Sequence, residues 1–174
     1  MSIAYRPASP EDGPALADMG RRCFVETFGP HFPADDMAIH LKRMFGPEGL
    51  PTEIHDPALR VQMAEEDGKI AAYLKLAPID LPVPYERGAL EVKQLYVLAP
   101  WQGAGVAAVL MDWAVETARA AGAPALYLSV WEQGARAINF YSRHGFVKVG
   151  EAPFRLGTRT YQDPVMRLDL ADPI

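Results

Sequence analysis

The stretch Pro100-Trp-Gln-Gly-Ala-Gly-Val-Ala-Ala-Val-Leu-Met-Asp-Trp-Ala-Val115 carries a glycine-rich turn straight into an amphipathic helix. It follows "LEVKQLYVLA" (90–99), which reads as a strand. Strand, glycine turn and helix in that order build an anion site from backbone N–H groups at the positive end of a helix dipole. Gly103 and Gly105 permit the close backbone approach such a site needs. Taken alone, two glycines need do no more than turn a loop, so the context decides.

Two familiar phosphate motifs do not fit. "GAGVAA" (103–108) formally matches G-x-G-x-x-A, the dinucleotide fingerprint. In that fold the first glycine sits directly at the strand end, whereas Ala99-Pro-Trp-Gln intervenes here. The acid that should close the next strand is missing from "ALYLSV" (125–130), and the strand lies mid-chain after a hairpin. A P-loop needs Gly-Lys-Ser/Thr, a tripeptide the chain lacks.

Upstream of the turn, "IAYRPA" (3–8) reads as a first strand, and Ser9-Pro10-Glu11-Asp12 as a helix start with Ser9 as N-cap. Leu16, Met19, Cys23 and Phe24 then recur at helical spacing. A Gly-Pro-His-Phe-Pro break (29–33) precedes a second helical piece, "ADDMAIHLKRMF" (34–45), and the proline-rich 46–58 reads as an irregular loop. Arg60 to Ile79 reads as a hairpin turned at Asp67-Gly68. Downstream, the helix stops at Gly122 with Pro124 beyond. Strand 125–130 and the helix "GARAINFYSRH" (134–144) follow, then strand "FVKVGE" (146–151). The last strand, "TRTYQDPVMRLDL" (158–170), is expected at a sheet edge because of Pro164. The order β-α-α-β-β-β-α-β-α-β-β indicates an α/β fold with one mixed sheet in a single domain spanning 1–174.

Bulk composition narrows the function. The net charge of −5 argues against nucleic acid as partner and for a cationic substrate. One cysteine, Cys23, rules out an internal disulfide and fits a reducing compartment; its apolar setting reads as packing. The opening "MSIAYRPASPEDG" lacks a signal pattern, and no window approaches the roughly 20 apolar residues of a membrane span. The expected location is therefore the cytoplasm. His31 and His40 lack partners at metal-ligand spacing, so no metal site is expected.

Counted from Gln102, the turn reads Gln102-x-x-Gly105-x-Ala107, and about 35 residues later comes "AINFYSRHGF" (137–146). These resemble the Q/R-x-x-G-x-G/A and A-x-x-F-Y-x-x-x-G-F patterns of the GNAT superfamily, N-acetyltransferases that use acetyl-CoA. The resemblance covers nearly the whole chain. It implies the GNAT acyl-CoA N-acyltransferase fold, a mostly antiparallel sheet of six or seven strands flanked by about four helices. "ETFGPHFPADDM", "SVWEQGARAINFY" and "GEAPFRLGTRTYQDPVM" look more narrowly like the PaiA-type polyamine N-acetyltransferase branch. The reaction so implied moves acetyl to a primary amine, in that branch a polyamine such as spermidine. A protein or peptide N-acetyltransferase, or a non-catalytic acyl-CoA-binding regulatory domain, stays open as an alternative. A homodimer is also compatible, paired subunits being common in similar proteins.

The resemblance assigns roles. Backbone N–H groups of Gln102, Gly103, Ala104, Gly105, Val106 and Ala107 would receive the coenzyme A diphosphate. The pantetheine arm would pair with main-chain groups of Leu95, Tyr96 and Val97, one N–H polarising the thioester carbonyl. Arg143 could meet the 3′-phosphate. A substrate ammonium with a pKa near 10 is neutral in only about one molecule per thousand at pH 7, an obstacle of about 4 kcal/mol. Glu91, eleven residues before Gln102, matches the spacing of a base glutamate in the histone-acetylating branch. Ordered water is the alternative base. Tyr141, the tyrosine of F-Y-x-x-x-G-F, would protonate the departing thiolate. Where the family carries Asn three residues before the alanine, this chain has Gly134, so that side-chain contact is in doubt. On the acceptor side, Phe28, His31, Phe32, Asp35 and Asp36 fall in one region and Trp131 and Glu132 in another. Acids and aromatic rings together suit a polyamine through ion pairs and cation–π contact.

Overall fold

The Asp67-Gly68 turn sets the register of the sheet. Both residues have positive φ, 51° and 75°, as a two-residue type I′ turn requires. It joins β2 (Arg60–Glu66) to β3 (Lys69–Pro78), with Glu66 opposite Lys69. The computed structural model describes residues 2–171, and among these β3 has the longest unbroken buried run, Ala71 to Leu76. Its near-continuous apolar run reflects cover on both faces.

Around it lie β1 (Ala4–Pro7), β4 (Leu90–Val97), β5 (Ala125–Ser129), β6 (Val147–Leu156) and β7 (Arg159–Asp169). The seven strands run in the order β1-β2-β3-β4-β5-β7-β6, antiparallel except for the parallel pair β4–β5. One face carries α4 (Val106–Ala120) and α5 (Ala135–Arg143) over a core that includes Leu110, Met111, Ala114, Leu126 and Leu128. The other carries α1 (Gly13–Phe28), α2 (Ala34–Phe45) and α3 (Leu50–Glu53) over Leu16, Phe24, Phe45, Met63 and Tyr73. This is a three-layer α/β/α arrangement. Cys23 belongs to the second core, as its apolar setting predicted; burial pushes its thiol up to about 11, so it packs as a hydrophobe.

Four local expectations need correction. Ser9 caps a 3-10 turn over Pro10–Asp12 rather than the α-helix itself, with the Asp12 carboxylate accepting the Ser9 N–H at 2.8 Å. The 46–58 loop contains a helical turn, α3, held by the fully buried Leu50 and by an ion pair of 2.8 Å from Glu53 to the buried Lys75. β6 runs to Leu156, five residues past the expected end at 151. Lastly, β7 lies between β5 and β6, and β6 is the edge. Pro164 is tolerated inside because β5 pairing ends at Ser129↔Val165. In an antiparallel ladder a residue's N–H and C=O point the same way. The Pro164 carbonyl accepts the Val130 N–H at 3.0 Å just past the β5 end, so the missing N–H falls where the ladder has already finished.

Candidate active site

The site grows from a divergence in the sheet. β4 and β5 share two paired levels, Leu90↔Leu126 and Glu91↔Tyr127, and then separate. β4 continues alone against β3 as far as Val97. Leu98 donates its N–H to Ala71 on the β3 side at 3.0 Å. Alternation therefore turns the main-chain groups of Leu95 and Val97 toward the open side. The Val97 carbonyl there accepts the Gln102 side-chain Nε2 at 2.9 Å. Tyr96 faces the other way for its side chain, edge-on to Tyr73 at 5.6 Å, and burial holds its phenol well above the ordinary range.

Past β4, a 3-10 turn at Ala99–Trp101 leads to Gly103 and Gly105, at φ 79° and 82°, and Gly105 caps α4. Those left-handed angles turn the chain tightly into the helix, and the first N–H groups of α4 have no partner within the helix. A Cβ added at either glycine would meet nothing within 4 Å, so open space lies before the loop. The Gln102 amide is instead committed to Ala99 O at 3.2 Å, which leaves the cradle to begin at Gly103. The Gln102 side chain bridges further, its Oε1 accepting from Arg136 Nη1 at 3.1 Å. Arg136, on the first turn of α5, thus stands beside the cradle, while the expected cation Arg143 is exposed at the other end of that helix. No motif singled out Arg136; its seven-residue offset from Arg143, two helical turns, was the available signal.

Tyr141 projects from α5 against the first core, edge-on to Phe146 at 5.9 Å. Burial pushes its phenol up to about 12, so it stays protonated at neutral pH. Gly134 caps α5 with φ −79° and hydrogen-bonds the Trp131 carbonyl at 2.9 Å, so the turn forms with no Asn side chain.

Glu91 lies at the vertex of the divergence. A register shift opposite Lys75/Leu76 makes Lys93 an extra residue in β4. That bulge reverses the alternation. Leu90, Val92, Leu95 and Val97 pack toward α4, while Glu91 shares the opposite face with Gln94 and Tyr96. Glu91 is 5% exposed, and its carboxylate accepts the Asp80 N–H at 3.3 Å and lies 3.5 Å from Lys93 Nζ. Burial outweighs those contacts and pushes it up to about 7.

On that same face, aromatic rings from both expected acceptor regions meet. Trp131 lies 5.5 Å from Phe28, 4.9 Å from His31 and 5.8 Å from Phe32, and Phe32 lies 5.1 Å from Tyr161. All but Phe28 border a cavity of about 240 Å³ lined by His31, Phe32, Trp131, Glu132, Tyr161 and Asp163, among others. Asp35 does not join them; it is exposed on α2, a residue ahead of the buried face. Asp36 is buried but structural, its Oδ1 accepting the Thr158 N–H at 2.8 Å and hydroxyl at 2.6 Å, which ties the β6–β7 turn to α2. His40 is also packing, stacked on Phe24 at 4.6 Å and lowered to about 4 by burial.

Comparison with known proteins agrees with this architecture. The model of the acetyltransferase (GNAT) family matches residues 15–146. An uncharacterised N-acetyltransferase from Lactobacillus delbrueckii subsp. lactis is 30% identical over 160 residues, 91% of this chain and 92% of that protein. Among solved structures, the PaiA N-acetyltransferase from Thermoplasma acidophilum, in complex with coenzyme A, superposes with a TM-score of 0.79 at 19% identity, over 97% of this chain and 99% of that one. The Salmonella typhimurium protein yncA, solved with its cofactor acetyl-CoA, gives 0.71 at 18% identity, over 100% and 97%. With the family pattern spanning the diverged strands, the glycine cradle and the tyrosine helix, the chain belongs to the acetyltransferase (GNAT) family.

Proposed function

We propose that the protein transfers acetyl from acetyl-CoA to a primary amine of a small polycationic acceptor such as a polyamine. The observation that carries this reading is the arrangement on either side of the β4–β5 divergence. Backbone donors and the open cradle lie toward α4, and a buried carboxylate and an aromatic cavity lie toward α1 and α2. The cradle amides from Gly103 to Ala107 fit a diphosphate, with Arg136 at the start of α5 as the neighbouring cation and Arg143 at the far end of that helix left for the 3′-phosphate. The amides of Leu95 and Val97 suit the pantetheine arm and the thioester oxygen.

The chemistry then divides between two groups that burial shifts upward alike, Glu91 to the neutral range and Tyr141 well above it. Glu91, at about 7, is partly ionised near neutrality and takes a proton from the substrate ammonium, directly or through water. The free amine attacks the thioester carbonyl carbon, and a β4 N–H stabilises the oxyanion that forms. As the carbon–sulfur bond breaks, Tyr141 gives its proton to the thiolate. The attacking nitrogen sheds its second proton to solvent, amide and free coenzyme A leave, and the proton held by Glu91 restores Tyr141 through solvent, so that one proton is released overall. The experiment is a thiol-release screen with acetyl-CoA over polyamines, amino acids, aminoglycosides and peptides. Release with polyamines supports the reading; release with peptides and no small amine overturns it.

A further inference from the structure

The aromatic cavity contains one group that acetyl transfer itself does not use. Asp163 is 5% exposed and lines the cavity, and its Oδ1 has no hydrogen-bond partner among the described residues. A buried polar atom without a partner costs about 1–3 kcal/mol, more when charged, so an unpartnered oxygen on a residue that lines a cavity points to a ligand donor. The surroundings specify that donor. Glu132 supplies a second carboxylate, His31, Phe32, Trp131 and Tyr161 supply ring walls, and among the described residues no Lys or Arg lines the space. Carboxylates and ring faces attract the same kind of group, a cation.

Register relates this place to the reacting centre. Asp163 has the parity of Val165, which packs with Tyr127 on the Glu91 face of the sheet. Glu91 is level with Tyr127, and Tyr127 with Arg167. Asp163 lies four residues before Arg167 on β7, about 13 Å along the strand and two strand spacings, about 10 Å, across. One ammonium cannot occupy both places. A flexible chain with amines at each end can.

We propose that Asp163, with Glu132 and the ring walls, binds the second, non-reacting ammonium of an acceptor whose two amines are separated by several methylene groups. This deepens the amine-acetylation reading and rests on it. The cavity of about 240 Å³ is some eight times the share of one water in the liquid, about 30 Å³, and holds an ammonium with part of its chain.

The test compares spermidine, 1,8-diaminooctane and octylamine, titrated calorimetrically into the coenzyme A-saturated protein, for wild type, Asp163→Asn and Glu132→Gln. The expected result is at least tenfold tighter binding of spermidine and the diamine than of octylamine by the wild type. Asp163→Asn, nearly isosteric, should bring that ratio within about twofold, and Glu132→Gln, at an exposed position, should lower it in part. Equal affinities in the wild type, equal losses for mono- and diamine in Asp163→Asn, or tighter binding of a lysine-bearing peptide than of either spermidine or the diamine would each overturn the proposal. Because binding is read without turnover, failure to acetylate any amine would refute the reaction above and leave this result readable.

Discussion

Replacing Glu91 by Gln should make the protein more stable at alkaline pH while disabling it. The native carboxyl is displaced from 4.5 to about 7 by burial, about 3 kcal/mol at 1.36 kcal/mol per pKa unit. Between those two pH values the native state holds a proton that the unfolded chain has released, so stability falls as pH rises, and the full penalty is present above pH 7. The substituted amide keeps an acceptor for the Asp80 N–H and carries no charge to desolvate. At pH 5 the two proteins should therefore unfold at similar temperatures. At pH 8.5 the variant should be more stable by up to about 3 kcal/mol, and about 2–4 °C per kcal/mol for a chain of this size gives a gain of roughly 6–12 °C. Differential scanning fluorimetry from pH 5 to 9 reads this directly. In parallel, kcat/KM for the amine should fall by about 10²–10⁴-fold and lose its acidic limb near pH 7. Melting curves that stay parallel across the range would refute the burial argument. A variant that keeps kcat/KM and its acidic limb would refute Glu91 as the base and assign proton removal to water.

Three other changes probe separate parts of the site. Tyr141→Phe should lower kcat by about 10²-fold while leaving the KM for acetyl-CoA within about twofold, measured by steady-state thiol release; unchanged kcat removes it as the acid. Gly105→Ala places a side chain at φ 82° with open space before it. It should cost only about 1–2 kcal/mol of stability yet raise the KM for acetyl-CoA by about tenfold, or 1.4 kcal/mol. Gly157→Ala is the opposite case, since its Cβ would lie 2.4 Å from the Asp36 Cα at φ 62°. A loss of more than about 2 kcal/mol is expected, seen as a lowered Tm, with amine KM rising as the β6–β7 turn detaches from α2.

What the sequence disclosed followed from how locally each feature is encoded. The glycine turn into α4 was legible because it sits on consecutive residues, Gly103 to Val106, whose backbone conformation is its own determinant. The Asp67-Gly68 turn was legible for the same reason. Phe28, His31 and Trp131 were named from their regions, and tertiary packing did bring them together. Asp35 was misplaced against Asp36 because a helix rotates about 100° per residue, and adjacent acids can point to solvent and to the interior. Pro164 misled because its meaning depends on where a different strand, β5, stops. Asp163 carried no local signal, and Arg136 only its two-turn offset from Arg143. One is a lone acid in a strand and the other an ordinary helix arginine until sheet register and helix docking supply their neighbours.

The inserted residue Lys93 has a consequence for how such a protein can change. It splits β4 into two segments of opposite alternation, so that odd-numbered Glu91 in the first and even-numbered Gln94 and Tyr96 in the second share one face, while Leu90, Val92, Leu95 and Val97 share the other. Shortening the strand by that single position would swing Glu91 to the far side of the sheet, so the number of residues between Glu91 and Gln102, and not only their identity, sets which layer the carboxylate meets.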